Sequence, residues 1–238
     1  MFNESLRYIQ RREDWVKTVA IGGVLSFLSF LLVPIVLVAG YYVRVLRSTM
    51  HGEEMPPAFD EWGDLATDGL KAVVIGFVYS LVPSVIGGVV FAIAGVSFFG
   101  GAANDSGGLA LAGGLIFLVG SLIVLVLGLA VAYVLPAALA NFVERESLGA
   151  AFSFDEIRAV VSTGKYATAW AYGFAIVLGV SILIGLLNVV PILGGLVGLF
   201  VSFYGIVAAY YIVGTTWGEI HELTMVDDGE VPDEQPAV

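Results

Sequence analysis

The sequence predicts an all-α fold, a polytopic helical membrane bundle, and three observations carry that prediction. Of the 238 residues, 58% are hydrophobic and only 13% charged, with a mean hydropathy of +0.94; soluble domains carry charge at about a quarter of their positions. The charges are also confined. None lies between Lys17 and Arg44, none between Lys165 and Glu219, and only Asp105 between Lys71 and Glu144. A charge-free run of about 18 residues reads as a spanning helix, because in hydrocarbon each peptide N–H and C=O must be satisfied within the segment. Finally, the apolar runs are continuous, whereas a membrane barrel needs alternation.

The first element is residues 1–16, expected to form an interfacial amphipathic helix. Phe2, Leu6 and Ile9 share one face at helical spacing, and Arg7 and Arg11 share another, with Arg12 beside them. Such a helix lies in the headgroup layer with its bases toward anionic lipid. This opening is too polar, and the next apolar run too long, for a cleavable signal. The transmembrane bundle is assigned to residues 17–217, with apolar segments at about 18–43, 72–101, 109–140 and 166–217. The last is too long for one span and carries the break "NVVPILGG" at Asn188–Gly195; "NDSGG" at Asn104–Gly108 separates the second and third. Residues 218–238 read as an acidic, disordered tail, part of a net charge of −11. Acid-rich, lysine-poor exteriors fit a chain kept soluble in high salt, where screening removes self-repulsion.

Parts of the chain resemble one another. "DWVKTVAIGGVLS" from Asp14 restarts as "DGLKAVVIGFVYS" from Asp68. "FDE" occurs at Phe59–Glu61 and Phe154–Glu156, in two polar connections that each read as a short interfacial helix. Ser153 with Glu156 makes a capping box there, and Asp60 caps the other helix. "VAGYYV" at Val38–Val43 matches "VAAYYI" at Val207–Ile212, with "LAVAYV" at Leu129–Val134 as a weaker copy.

Basic residues prefer one membrane face, which makes the threading countable. Read as five spans (18–43, 72–101, 109–140, 166–188 and 194–217), the chain divides its ten bases four to six, and no orientation follows. If the first segment instead enters and returns, turning near Pro34, all ten bases fall on one side. The expected architecture is therefore three helical hairpins with both termini cytoplasmic. Legs of about 14–31 and 35–50 sit at the lower limit for crossing, about 17 residues, so the first hairpin is short or re-entrant.

Chemistry is sparse. No ionisable residue lies well inside a span, which counts against a carboxylate proton relay. Among the midspan polar residues, Ser80, Ser84 and Asn188 form the candidate intramembrane site, though such residues serve more often as interhelical glue. Arg44 and Arg47, one turn apart just past an apolar helix, join Arg7, Arg11 and Arg12 as candidate lipid-headgroup ligands. His51 and His221 have acids nearby but not the HExxH spacing, and read as solvated surface residues rather than metal ligands. The chain has no cysteine. No catalytic residue, cofactor, metal or nucleic-acid partner is expected; the expected partners are the bilayer and a membrane protein or second copy.

The combination "DWVKTVAIGG", "GYYVRVLR" and "PPAFDEWGDLATDGLKAVVIGFVYSLVP" resembles an archaeal family of multi-pass membrane proteins filed as a domain of unknown function, family 4013. The similarity spans about residues 8–217 and is most specific over 40–83. The resemblance implies an archaeal cell membrane and brings no activity or catalytic residues. The expected function is a non-enzymatic scaffold or accessory membrane component, with a transporter or lipid-handling protein as the alternative. Reporter fusions at residues 2 and 230 test the threading. Signals from the same side of the membrane are expected, and opposite signals contradict the hairpins.

Overall fold

The computed structural model describes residues 2–189 and 191–227, and their side chains except those of 30, 191–193 and 222–227. Eight α-helices follow in chain order: α1 Phe2–Tyr8, α2 Trp15–Phe27, α3 Leu32–Met50, α4 Trp62–Ala103, α5 Gly107–Arg145, α6 Phe154–Val161, α7 Gly164–Leu187 and α8 Pro191–Asp227. Short 3₁₀ turns occupy Ile9–Arg11, Leu28–Phe30 and Leu148–Phe152. Among the described residues, five helices, α3, α4, α5, α7 and α8, are long and apolar enough to cross a membrane; α2 is apolar but has only 13 residues. The chain divides into two compact units, residues 1–72 with 137–238, and residues 73–136.

The first unit holds α1, α2, α3, α6, α7 and α8 with the first turns of α4 and the last of α5. Its first apolar segment does break. Leu31 is extended (φ −90°, ψ 138°) between the 3₁₀ turn and α3. The break falls three residues before Pro34, which sits instead in the first turn of α3, where a missing N–H costs no helical bond. Gly22 and Gly23 of α2 lie against the rings of Phe203 and Phe200 of α8. The two helices therefore run antiparallel, and Phe27 comes level with the early turns of α8. Thirteen residues reach that depth because α2 starts beside the middle of α8 rather than its end.

Helix α3 runs parallel to α8. Tyr42 stacks on Tyr210 (5.4 Å, 7°), Gly214 meets Leu46 and Thr49, and Gly218 meets Met50. The two YY segments read as copies in the sequence are thus neighbours in space. Helices α7 and α8 form an antiparallel hairpin, with Gly173 beside Ala209, Gly205 beside Val180 and Gly198 beside Ile184. Its roots are joined by Lys165 and Glu219 at 2.7 Å. Side-chain contacts tie the other helix roots together at the same end: Tyr8 on Tyr211, Arg47 to Asp68, Lys71 over Phe142, and Glu144 to Trp217. Each basic residue of the chain falls in this unit, at a helix root or in the connections beside it.

Three expectations are revised. Residues 1–16 are not one helix: the chain breaks at Arg12, which is extended (φ −90°, ψ 136°). Nor does the segment merely lie on lipid, since Tyr8 and Ile9 are buried against the core. The reason is an aromatic face. Tyr8 packs on Tyr211 at 4.6 Å, and the Tyr204 hydroxyl donates to the Leu6 carbonyl. The first FDE segment does not start a separate interfacial helix, because Trp62 opens the long helix α4 directly. The final helix runs past residue 217 to Asp227, and the expected tail beyond, residues 228–238, lies outside the described residues.

The second unit is one antiparallel hairpin from α4 and α5. Gly87 meets Val124, Gly120 meets Val90, Gly113 meets Phe98 and Gly101 meets Ala110. Its helices expose most of their apolar side chains, Phe77, Phe99 and Phe117 among them. In hydrocarbon that exposure is unopposed, since lipid tails are as apolar as leucine.

Where α3 crosses α4, the two backbones touch. A Cβ on Gly40 would strike the Leu65 carbonyl, and one on Gly69 would strike the Val36 carbonyl. Neither obstacle is a side chain that can swing away. Gly40→Val and Gly69→Val are expected to cost about 2–3 kcal/mol or more each in a reversible detergent unfolding titration. Gly76→Val, where a Cβ meets nothing within 4 Å, is the near-neutral control.

Candidate functional site

The connection between α3 and α4 reads "HGEEMPPAFDE" from His51. Two prolines remove N–H donors, so this stretch cannot satisfy itself by a local hydrogen-bond ladder and presents carbonyls instead. Side chains from three neighbouring elements take them in order. Arg11 Nη1 donates to the Glu54 carbonyl (3.3 Å), Tyr8 Oη to Met55 (3.4 Å), Arg12 Nη1 to Pro56 (3.2 Å) and Tyr41 Oη to Pro57 (3.2 Å). Arg44 then donates to Ala58 (3.4 Å) and Glu61 (3.2 Å). Burial pushes the Tyr8 phenol well above its ordinary range, so it remains a neutral donor.

Arg44 closes the clamp. Its side chain is only 12% exposed and pairs with Asp60 at 2.6 Å and Glu61 at 3.3 Å. Phe59 stacks on Tyr41 at 4.2 Å and lies 6.0 Å from both Phe203 and Trp62. Glu61 turns the chain into α4 with φ 45°. Asp60 thus serves Arg44, where a capping role was expected. One turn on, Arg47 pairs with Asp68 (2.8 Å), which Lys71 also approaches at 4.0 Å.

A second group gathers where α5, α6, α7 and α8 meet. Asn141, buried at 1% exposure, donates through Nδ2 to the Ala150 carbonyl (2.8 Å) and to Glu156 (2.9 Å). Glu156 also pairs with Arg145 at 3.0 Å. The expected capping box does not form. Ser153 stands at the N-cap of α6 but makes no side-chain cap bond, because Glu156 is turned toward Asn141 and Arg145. Glu144 accepts from the indole Nε1 of Trp217 (2.8 Å) and lies 3.2 Å from His221 Nε2. His51 stands apart, its Nδ1 2.7 Å from the Arg47 carbonyl.

The sequence candidates divide sharply. Arg11, Arg12, Arg44 and Arg47 are engaged by carbonyls and carboxylates of the protein itself, Arg12 also with Asp14 at 2.6 Å; Arg7 is exposed. Ser80 donates to its own helix at Phe77 (2.8 Å), and Asn188 to Ile184 (3.0 Å). Asn188 is exposed at the C-cap of α7, so it marks a turn rather than a midspan site. Ser84 lines an open groove in the second unit with Pro83, Gly87, Gly88, Phe91, Val124 and Gly128. Tyr8, Asn141 and Glu144 were not singled out from the sequence, whereas Tyr41 stands in the repeated VAGYYV segment. The one signal for Asn141 and Glu144 was polarity appearing at the end of a long apolar run.

Among the described residues, no three His, Cys, Asp or Glu side chains group so as to hold a metal ion. The charges at the root neutralise one another, an arrangement that holds helices in place. Arg44→Ala would remove the donor of the Ala58 and Glu61 carbonyls, while Asp60 and Glu61, 64% and 73% exposed, turn to water, and a loss of about 1 kcal/mol is expected. Thermal unfolding in detergent micelles checks it. Arg158→Ala, at an exposed position on α6, should leave the midpoint unchanged.

Comparisons with curated proteins and with solved structures return no match. A scan of family models returns one, described as a protein of unknown function, DUF4013, over residues 26–189 of the 238. That match covers the return of the first segment, the clamped connection, the α4–α5 hairpin, α6 and α7. The chain belongs to this family, and its five long apolar helices fit a multi-pass membrane protein.

Proposed function

We propose that this protein is a non-enzymatic membrane component, a scaffold or accessory subunit that works by presenting helix surfaces within the bilayer. The observation that carries this is the uneven burial of the long apolar helices. The most apolar stretches of α3 and α8 are 44% and 39% buried, whereas those of α4, α5 and α7 are 11%, 6% and 11%. The polar root is internally paired and the α4–α5 hairpin is left open, lined with Phe and small residues of the kind that pack between membrane helices. The partners are lipid and a second membrane protein or copy, with no nucleic acid.

Several finer readings belong with this proposal. The acidic balance and the resemblance favour a salt-loving archaeal source and its cell membrane. The gathered bases favour cytoplasmic roots, with both termini on that side. The side-by-side YY segments favour an internal repeat, and exposed Arg7 is the remaining candidate for a lipid phosphate. Lipid handling is the second reading. It is favoured by an apolar groove of about 430 Å³ in the α4–α5 hairpin, lined by Phe91, Phe98, Phe99 and Phe117 with small residues between them.

Photo-crosslinking residues at Val85, Val96 and Phe117, followed by mild-detergent purification and mass spectrometry, tests the scaffold reading. A single stoichiometric protein adduct is expected. Adducts to lipid alone, together with lipid scrambling in proteoliposomes, would replace it with the second reading.

A further inference from the structure

His221 lies at the root of α8, stacked on Trp217 (ring centroids 5.1 Å, 28°). Its Nδ1 is 3.2 Å from the Trp217 carbonyl and its Nε2 is 3.2 Å from the Glu144 carboxylate. Both partners are acceptors. A neutral imidazole carries one N–H and can serve only one of them, leaving a lone pair turned toward oxygen at the other; an imidazolium serves both. His51 has no such conflict, since one Nδ1–H satisfies its single contact to the Arg47 carbonyl. Glu144 is meanwhile held by the Trp217 indole N–H, so the carboxylate is already aimed.

We propose that His221 is a proton-operated latch that fastens the end of α8 to the end of α5. Protonated, it bridges Glu144 and the Trp217 carbonyl. Neutral, it keeps one contact, and the last turns of α8, which run on to Asp227, loosen from α5. The other charged groups on the packed elements leave this histidine as the variable one. On α7, Lys165 is paired with Glu219 of α8 at 2.7 Å, and on α5, Arg145 is turned to Glu156 of α6 at 3.0 Å.

The native chain has no cysteine, so spin labels at Glu146→Cys and Ile220→Cys report the α5–α8 separation in the full chain in nanodiscs. A single narrow distance is expected at pH 5, and a second, longer population at pH 9. His221→Lys, a fixed cation, should hold the narrow distance at both values; His221→Gln should lose the pH response. A wild-type distance that does not change with pH, or a response that survives His221→Gln, overturns the latch. Because a variant could misfold, ¹⁵N spectra of the wild-type imidazoles provide a second reading. Both ring nitrogens of His221 should carry protons where the labels report the closed state, and a neutral ring there also overturns it.

Discussion

Arg44 sits where an apolar helix meets the polar face, and much of the first unit depends on how its charge is answered. A guanidinium at the edge of hydrocarbon is costly unless partners are supplied from within the protein. Here Asp60 and Glu61 supply charge, and the carbonyls of Ala58 and Glu61 supply acceptors. To bring them there, the α3–α4 connection must fold back along α3. That return places Phe59 on Tyr41 and starts α4 beside Gly40. The close backbone crossing of α3 and α4 goes with this return, and Gly40 and Gly69 leave room for it.

The same logic explains why two FDE segments, alike in sequence, behave differently. In both, an acid reaches back to an arginine near the end of the preceding helix: Asp60 and Glu61 to Arg44, and Glu156 to Arg145. The aromatic residue does not follow. Phe59 joins an aromatic cluster with Tyr41 and Phe203, while Phe154 is 66% exposed and opens a short helix that buries Ile157 and Val160 instead. The first site has aromatic neighbours from α3 and α8 to receive a ring. In the second, the polar partner Asn141 draws Glu156 inward and turns the opposite face of α6 outward.

The class of fold was legible because hydrocarbon imposes a severe rule, and long charge-free runs are its direct imprint. The gathering of bases at one end of the first unit was legible for the same reason. A run of 26 uncharged residues looked long enough for one helix. The charge count and the internal repeat indicated that it doubles back, and the chain breaks at Leu31. What could not be read was partner choice among nearby polar groups. Asp60 and Glu156 both stand where helix caps stand, and cap spacing is a local pattern; arginines on a preceding helix compete for the same carboxylates and win. The burial of Tyr8 was hidden too, since an amphipathic segment looks the same whether its apolar side meets lipid or α8. The local bonding of Ser80 and Asn188 was hidden as well, because a hydroxyl or amide bonded to its own helix reads like one awaiting a partner.

The proposed threading puts the helix roots of the first unit on one membrane face and the α7–α8 turn on the other. The absence of native cysteine makes that directly measurable with single cysteines at Glu61, Glu146, Thr163 and Val189 in sealed vesicles. The first three should react with an impermeant maleimide from the same side, and Val189 from the opposite side only. Labelling of Glu61 from the side that labels Val189 would contradict the shared root, and with it the ionic clamp around Arg44 as the organiser of the fold.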